Sequence, residues 1–171
     1  METWLDILRY IHILSGVMWI GLLYYFNFVQ VPSFAKMDAA ARSNAIMILV
    51  PRALLFFRYA ALLTFLAGLS YVLSINADLG SAYRDSARYK SVLVGGTLGT
   101  IMFMNVWGII WPNQKKIIAA TTATVTNKTP APADQPKWAR RAFLASRLNT
   151  LLSVPMLFFM VAAIHLPKIW N

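Results

Sequence analysis

Only two histidines occur in the 171 residues, and both stand in apolar company: His12 in IHILSGVMWIG and His165 in FFMVAAIHLPKIW. Imidazole is an axial ligand for haem iron and a common ligand for transition metals. The chain has no cysteine. Thiolate sites, Fe–S clusters and c-type haem attachment are therefore excluded, and any redox centre falls to other ligands. At about 100° per residue, His12 shares a helix face with Gly16, Trp19, Leu23 and Gln30, and His165 shares one with Ala162, Phe158, Val154 and Arg147. Gly16 and Ala162 are small enough to let a flat macrocycle approach two backbones. Bis-histidine b-type haem, with His12 and His165 as iron ligands, is thus one expectation. The alternative is that both are interfacial residues whose polar edges reach head groups, a carbonyl or Arg9, with no cofactor at all.

A second polar group recurs farther along the same segments: Gln30, Arg58, Asn105, and the Arg147–Asn149 pair. Arginine is costly in hydrocarbon and normally faces a partner or a wet cavity. These side chains could hold an anionic ligand, a haem propionate or a quinone. Equally, the arginines could snorkel to an interface while the amides tie helices together. With few acids and two histidines, no acid/base or triad constellation is visible.

The elements that must position these residues are membrane helices. Hydrophobic residues make up 58% of the chain and charged residues 13%, against about 25% charged in soluble proteins. The net charge of +10 is spread between apolar runs rather than on one face, which argues against nucleic acid and for a topology signal. A bilayer core needs about 20 apolar residues of helix. Four stretches qualify, about 5–31, 51–76, 91–112 and 143–167. The expected fold is all-α: one integral domain, a four-helix transmembrane bundle running up-down-up-down with both termini on the same side. Eleven of the sixteen basic residues fall in or beside the first and third connections, so the positive-inside rule makes those cytoplasmic and the termini outer. The N-terminus lacks a basic region and a cleavage site, so the first helix is expected to stay.

Pro32, Pro51, Pro112 and Pro167 are expected at segment ends, with Trp4, Trp111 and Trp170 near interfaces. Residues 36–50 read as a short interfacial helix. Residues 113–142, rich in Thr, Ala and Pro, read as a flexible cytoplasmic loop. Gly95 and Gly99 form a G-x-x-x-G pair suited to close helix packing, inside the bundle or between protomers.

The stretches IHILSGVMWIGLLYYFNFVQVP (11–32), RYAALLTFLAGL (58–69), WGIIWPNQKK (107–116) and ASRLNTLLSVPMLFFMVAAIH (145–165) touch all four spans. Through them the chain resembles the membrane domain of the membrane-bound, cytochrome-c-linked urate oxidase (urate hydroxylase) family. The resemblance implies a bacterial inner-membrane location and urate oxidation in the membrane, with electrons passed to cytochrome c. The chain departs from the full-length pattern in being shorter and in lacking C-x-x-C-H. It therefore resembles a stand-alone half that would need a homodimer or membrane-complex partner and a separate cytochrome c or quinone. Both histidines and the Arg147–Asn149 block lie within the matching stretches. The leading expectation is a membrane b-type haem protein in electron transfer. Its rivals are a haem-free accessory subunit of a larger complex and a porphyrin-handling enzyme.

Overall fold

The computed structural model describes residues 2–170. Four helices are long and apolar enough to cross a membrane: α1 (Thr3–Lys36), α2 (Ala39–Leu79), α3 (Ala87–Asn127) and α4 (Gln135–His165). No strand occurs among the described residues. Between 22% and 28% of each apolar window is buried in the bundle, so most of the apolar surface faces outward, as lipid requires and water would not permit.

Local signals set the ends. Asp38 caps α2 by accepting from the Ala41 N–H at 2.8 Å, and Ser86 caps α3 by accepting from the Tyr89 N–H at 3.1 Å. Gly80 ends α2 with φ of 54°, a conformation open to glycine. A single turn of helix, Ser81–Arg84, leads into α3.

Three of the prolines expected at segment ends do not end their segments. Pro32 and Pro112 lie inside continuous helices, each directly after a π-helical turn, Tyr25–Gln30 in α1 and Val106–Ile110 in α3. A proline ring clashes with the carbonyl four residues back and offers it no N–H. Widening the preceding turn relieves the clash without breaking the helix. Pro51 likewise continues α2, so residues 39–50 extend that helix instead of forming a separate interfacial one.

The expected flexible loop, 113–142, is mostly helix. α3 runs on to Asn127 and α4 starts at Gln135, leaving seven residues between them. Threonines disfavour helix initiation, but here the helix is already propagating from the membrane and no nucleation cost arises. Its buried face, Ile117, Ala120 and Thr121, lies along the first turns of α4, where Ala142 and Ala145 are buried and Gln135 donates to Thr121. At 41 residues each, α2 and α3 are about 60 Å long, twice a bilayer core. Both overhang at the end opposite the termini.

α1 packs chiefly on α2, and α3 on α4. The two hairpins meet in a core of Trp19, Leu23, Phe26, Leu54, Phe57, Met102, Val106, Ile110 and Met156. Gly95 is the close-packing glycine: a Cβ there would lie 3.2 Å from Met160 Cε and 3.3 Å from the Met156 carbonyl of α4. Gly99 leaves ordinary space, and Gly96 and Gly108 face open space. Past α4, the 3-10 turn Pro167–Trp170 folds back so that the Trp170 indole donates to buried Ser91 at 2.7 Å.

Candidate functional site

The polar level lies where the two π-turns face each other's hairpins. Phe26 and Phe57 meet edge to face at 5.3 Å, which sets Asn27 of α1 and Arg58 of α2 at one depth. Tyr59 and Trp107 meet at 6.0 Å, which brings the α3 π-turn to the same depth. From α4 come Ser146, Asn149 and Ser153.

Hydrogen bonds tie this level across helices. Asn149, wholly buried, donates to the Met102 carbonyl at 2.9 Å and accepts from Asn105 at 2.9 Å, joining α3 to α4. Asn27, 1% exposed, donates to Ser146 at 2.7 Å and to the Leu23 carbonyl at 2.8 Å, joining α1 to α4. Tyr24 and Ser153 share a 2.9 Å bond. Half of the expectation that amides tie helices is met here.

The remaining polar atoms are not satisfied. Asn27 Oδ1, Gln30 Oε1, Arg58 Nε and Trp107 Nε1 are buried without a partner. The Arg58 guanidinium stands 3.7 Å over the Trp111 ring and 5.0 Å from that of Tyr59. Cation–π attraction holds the charge, and no carboxylate neutralises it: the ion pairs among the described residues are Arg9–Asp6 and Lys137–Asp134. Trp111 thus packs against Arg58. Arg147 leaves the group, for it is exposed and lies over Phe143 at 5.1 Å. The neighbouring Ser146 takes the inward position. Beside Asn105, a shallow cleft of about 540 Å³ opens between α3 and α4, lined by Asn113, Arg141 and Leu148 among others. Sequence reading missed Asn27, Trp107 and Arg141. The Asn27 signal was present, since it falls on the Trp19–Leu23–Gln30 face.

The histidines lie toward the other end. His12 is half-buried on the inward stripe of α1 between Leu8 and Ser15, and its Nδ1 is 2.8 Å from the Thr64 carbonyl. A carbonyl only accepts, so Nδ1 carries the proton and Nε2 is left as the free lone pair. The Nδ1–Cε1 edge of the ring lies against α2 at Gly68, where a Cβ would come within 2.7 Å of Nδ1. One turn deeper, Thr64 donates to Ser15 at 2.9 Å, fixing the α1–α2 register, and a Cβ added at Gly16 would meet the Thr64 methyl at 3.7 Å. His165 is the last residue of α4 and is exposed, although Ala162 and Ala163 beside it are buried. No hydrogen bond joins the two histidines among the described residues, and His12 is turned to α2 rather than α4.

Residues 70–171 match a family model described as urate oxidase N-terminal. This covers the end of α2 with all of α3 and α4, and so includes Asn105, Trp107, Asn149 and His165, while His12, Asn27 and Arg58 lie before it. No curated protein and no solved structure matches the chain.

Proposed function

Since the chain belongs to the urate oxidase N-terminal family, we propose that it is an integral-membrane component of urate oxidation whose polar level receives the urate. The observation that carries this reading is the set of buried, unpartnered polar atoms that three helices contribute around this level: Asn27 Oδ1, Gln30 Oε1, Arg58 Nε and Trp107 Nε1. Each such atom costs about 1–3 kcal/mol when left unpaired in a dry interior. Urate at neutral pH is a flat anion with N–H donors and carbonyl oxygens around its rim. Arg58 supplies the countercharge and a planar donor fork. The two amide oxygens accept N–H, and the Trp107 indole donates to a carbonyl. By the positive-inside reading this level lies toward the cytoplasm of a bacterial inner membrane.

Oxidation of urate releases electrons that no side chain in this chain can store, and a b-type haem, when bound, supplies a one-electron acceptor. His12 fits such a group: its Nδ1–H is held by a backbone carbonyl, the arrangement that orients metal-ligating histidines, and Nε2 is left for iron. Gly68 gives the ring its seat, with Gly16 as a small neighbour. His165 and Ala162 at the same end are the further residues that would hold the group. Arg58 and Gly68 are ten residues apart on α2, so about 15 Å separates the two levels. Electrons would leave through a separate cytochrome c or quinone, with a homodimer or membrane partner completing the enzyme.

Urate binding to the detergent-purified chain, measured by titration calorimetry, tests the reading. Saturable binding abolished in Arg58→Gln supports it; equal binding by wild type and Arg58→Gln rules the site out. A second reading, a haem-free accessory subunit, draws on Gly96 and Gly108, which leave α3 open on its outer side for a partner helix. Colourless protein that co-purifies stoichiometrically with a larger membrane complex would favour it.

A further inference from the structure

At the terminal end of the bundle, three helices bring two cations onto one phenol. Arg9 of α1 donates from one guanidinium nitrogen to Tyr71 Oη of α2 at 3.0 Å, and Arg88 from the first turn of α3 donates to the same oxygen. Both guanidinium groups also lie near the Tyr71 ring, at 5.4 and 5.9 Å from its centroid. Asp6 offsets Arg9 at 3.1 Å, while Arg88 pairs with no carboxylate among the described residues.

Two guanidinium ions on one neutral oxygen repel each other unless an anion lies between them. The phenol oxygen can accept twice, and both of those places are used, which leaves its own O–H without an acceptor among the described residues. Three sets of donors therefore converge from three elements, with one phenol oxygen and the Asp6 carboxylate as their acceptors among the described residues. On α1, Trp4 and Tyr10 are 53% and 67% exposed on either side of Arg9, and on α2 Leu69 and Leu73 are exposed beside Tyr71. Exposed Trp and Tyr mark the depth at which head groups sit, above an apolar wall for acyl chains.

We propose that Arg9, Tyr71 and Arg88 form a phosphate-binding clamp that takes the phosphodiester of an anionic phospholipid at the terminal face of the bundle. The clamp is independent of the urate and haem assignments, and free phosphate shares the chemistry. Arg58 and Arg147 lie at other levels and take no part.

The test uses the full chain in neutral detergent, with tryptophan fluorescence following thermal unfolding. Phosphatidylglycerol should raise Tm by several degrees more than phosphatidylcholine does. Arg9→Gln and Arg88→Gln should each weaken the apparent lipid affinity by about ten- to a hundredfold, the scale of one charge-assisted hydrogen bond. Arg84→Gln removes an exposed cation from the same end and should keep the full effect, which separates the clamp from the general pull of a +10 chain. Tyr71→Phe keeps ring and cations and should reduce the effect partially, a check that survives if a Gln variant fails to fold. Inorganic phosphate at matched ionic strength distinguishes the source: protection lost in the same variants means that the clamp also takes free phosphate, and no protection restricts it to lipid. Equal Tm in the two lipids, or the full phosphatidylglycerol effect in Arg88→Gln and Tyr71→Phe, overturns the proposal.

Discussion

Gly68→Ala isolates the seat of His12. A Cβ at residue 68 would stand 2.7 Å from His12 Nδ1 and 2.8 Å from Cε1, so the imidazole must leave its place. Moving it breaks the 2.8 Å bond to the Thr64 carbonyl, worth about 0.5–1.5 kcal/mol. Overpacking of the α1–α2 seam adds about 1–3 kcal/mol. Against these, alanine is favoured over glycine within a helix by about 0.5–1 kcal/mol. The net expectation is a loss of about 0.5–4 kcal/mol, a fall of several degrees in Tm for the detergent-solubilised chain at the middle of that range. Gly16→Ala is the matched control. It sits on the facing helix, its Cβ would meet only Thr64 Cγ2 at 3.7 Å, and it should leave Tm unchanged or slightly raised. If haem is bound through His12, Gly68→Ala should also lower haem retention in step with His12→Ala. Equal Tm for Gly68→Ala and Gly16→Ala would refute the reasoning, because the clash that distinguishes them would then be absent.

Other substitutions test other parts of the account. Asn149→Ala strands the Asn105 amide and should cost about 1–3 kcal/mol, read as a lowered Tm with α-helical content retained by circular dichroism. Gly95→Ala should destabilise the α3–α4 contact by about 1–3 kcal/mol through its clash with the Met156 carbonyl, while Gly96→Ala, facing open space, should be neutral in the same melt. Tyr83 lies outside the spans, and burial pushes its phenol above the ordinary tyrosine value of 10.0. That contribution to stability is full below the unfolded value and is lost as pH rises through the folded one. Tyr83→Phe removes an unpartnered buried hydroxyl and should flatten the alkaline fall of Tm.

The membrane architecture was readable because its signal is composition over twenty residues, which packing does not alter. Helix ends were less readable wherever proline was the guide. Pro32 and Pro112 carry the residues of a stop, yet in lipid a broken backbone leaves polar groups unsolvated, and a π-turn costs less than an end. The Thr-rich segment after Asn113 looks like a loop to local propensity and becomes helix through contact with α4, a tertiary effect that composition does not encode. At the polar level, Gln30, Asn105 and Asn149 follow from helical phase, and all three lie inward. Arg147 does not, because one position decides between it and Ser146, and the smaller hydroxyl fits the Asn27 contact. The Gly16–Trp19–Leu23–Gln30 stripe from His12 lies inward as its spacing requires. The close approach of Gly68 to His12 depends on the α1–α2 register, which no single helix reveals.

A urate site and a haem on His12 can be tested together in one spectrum. The absorbance of the full chain, purified from haem-sufficient membranes, would be recorded before and after anaerobic urate, with Arg58→Gln and His12→Ala alongside. The account predicts a b-type spectrum that urate reduces in the wild type, an intact spectrum that urate no longer reduces in Arg58→Gln, and no haem in His12→Ala. A colourless wild type, or a haem spectrum that persists in His12→Ala, would contradict it.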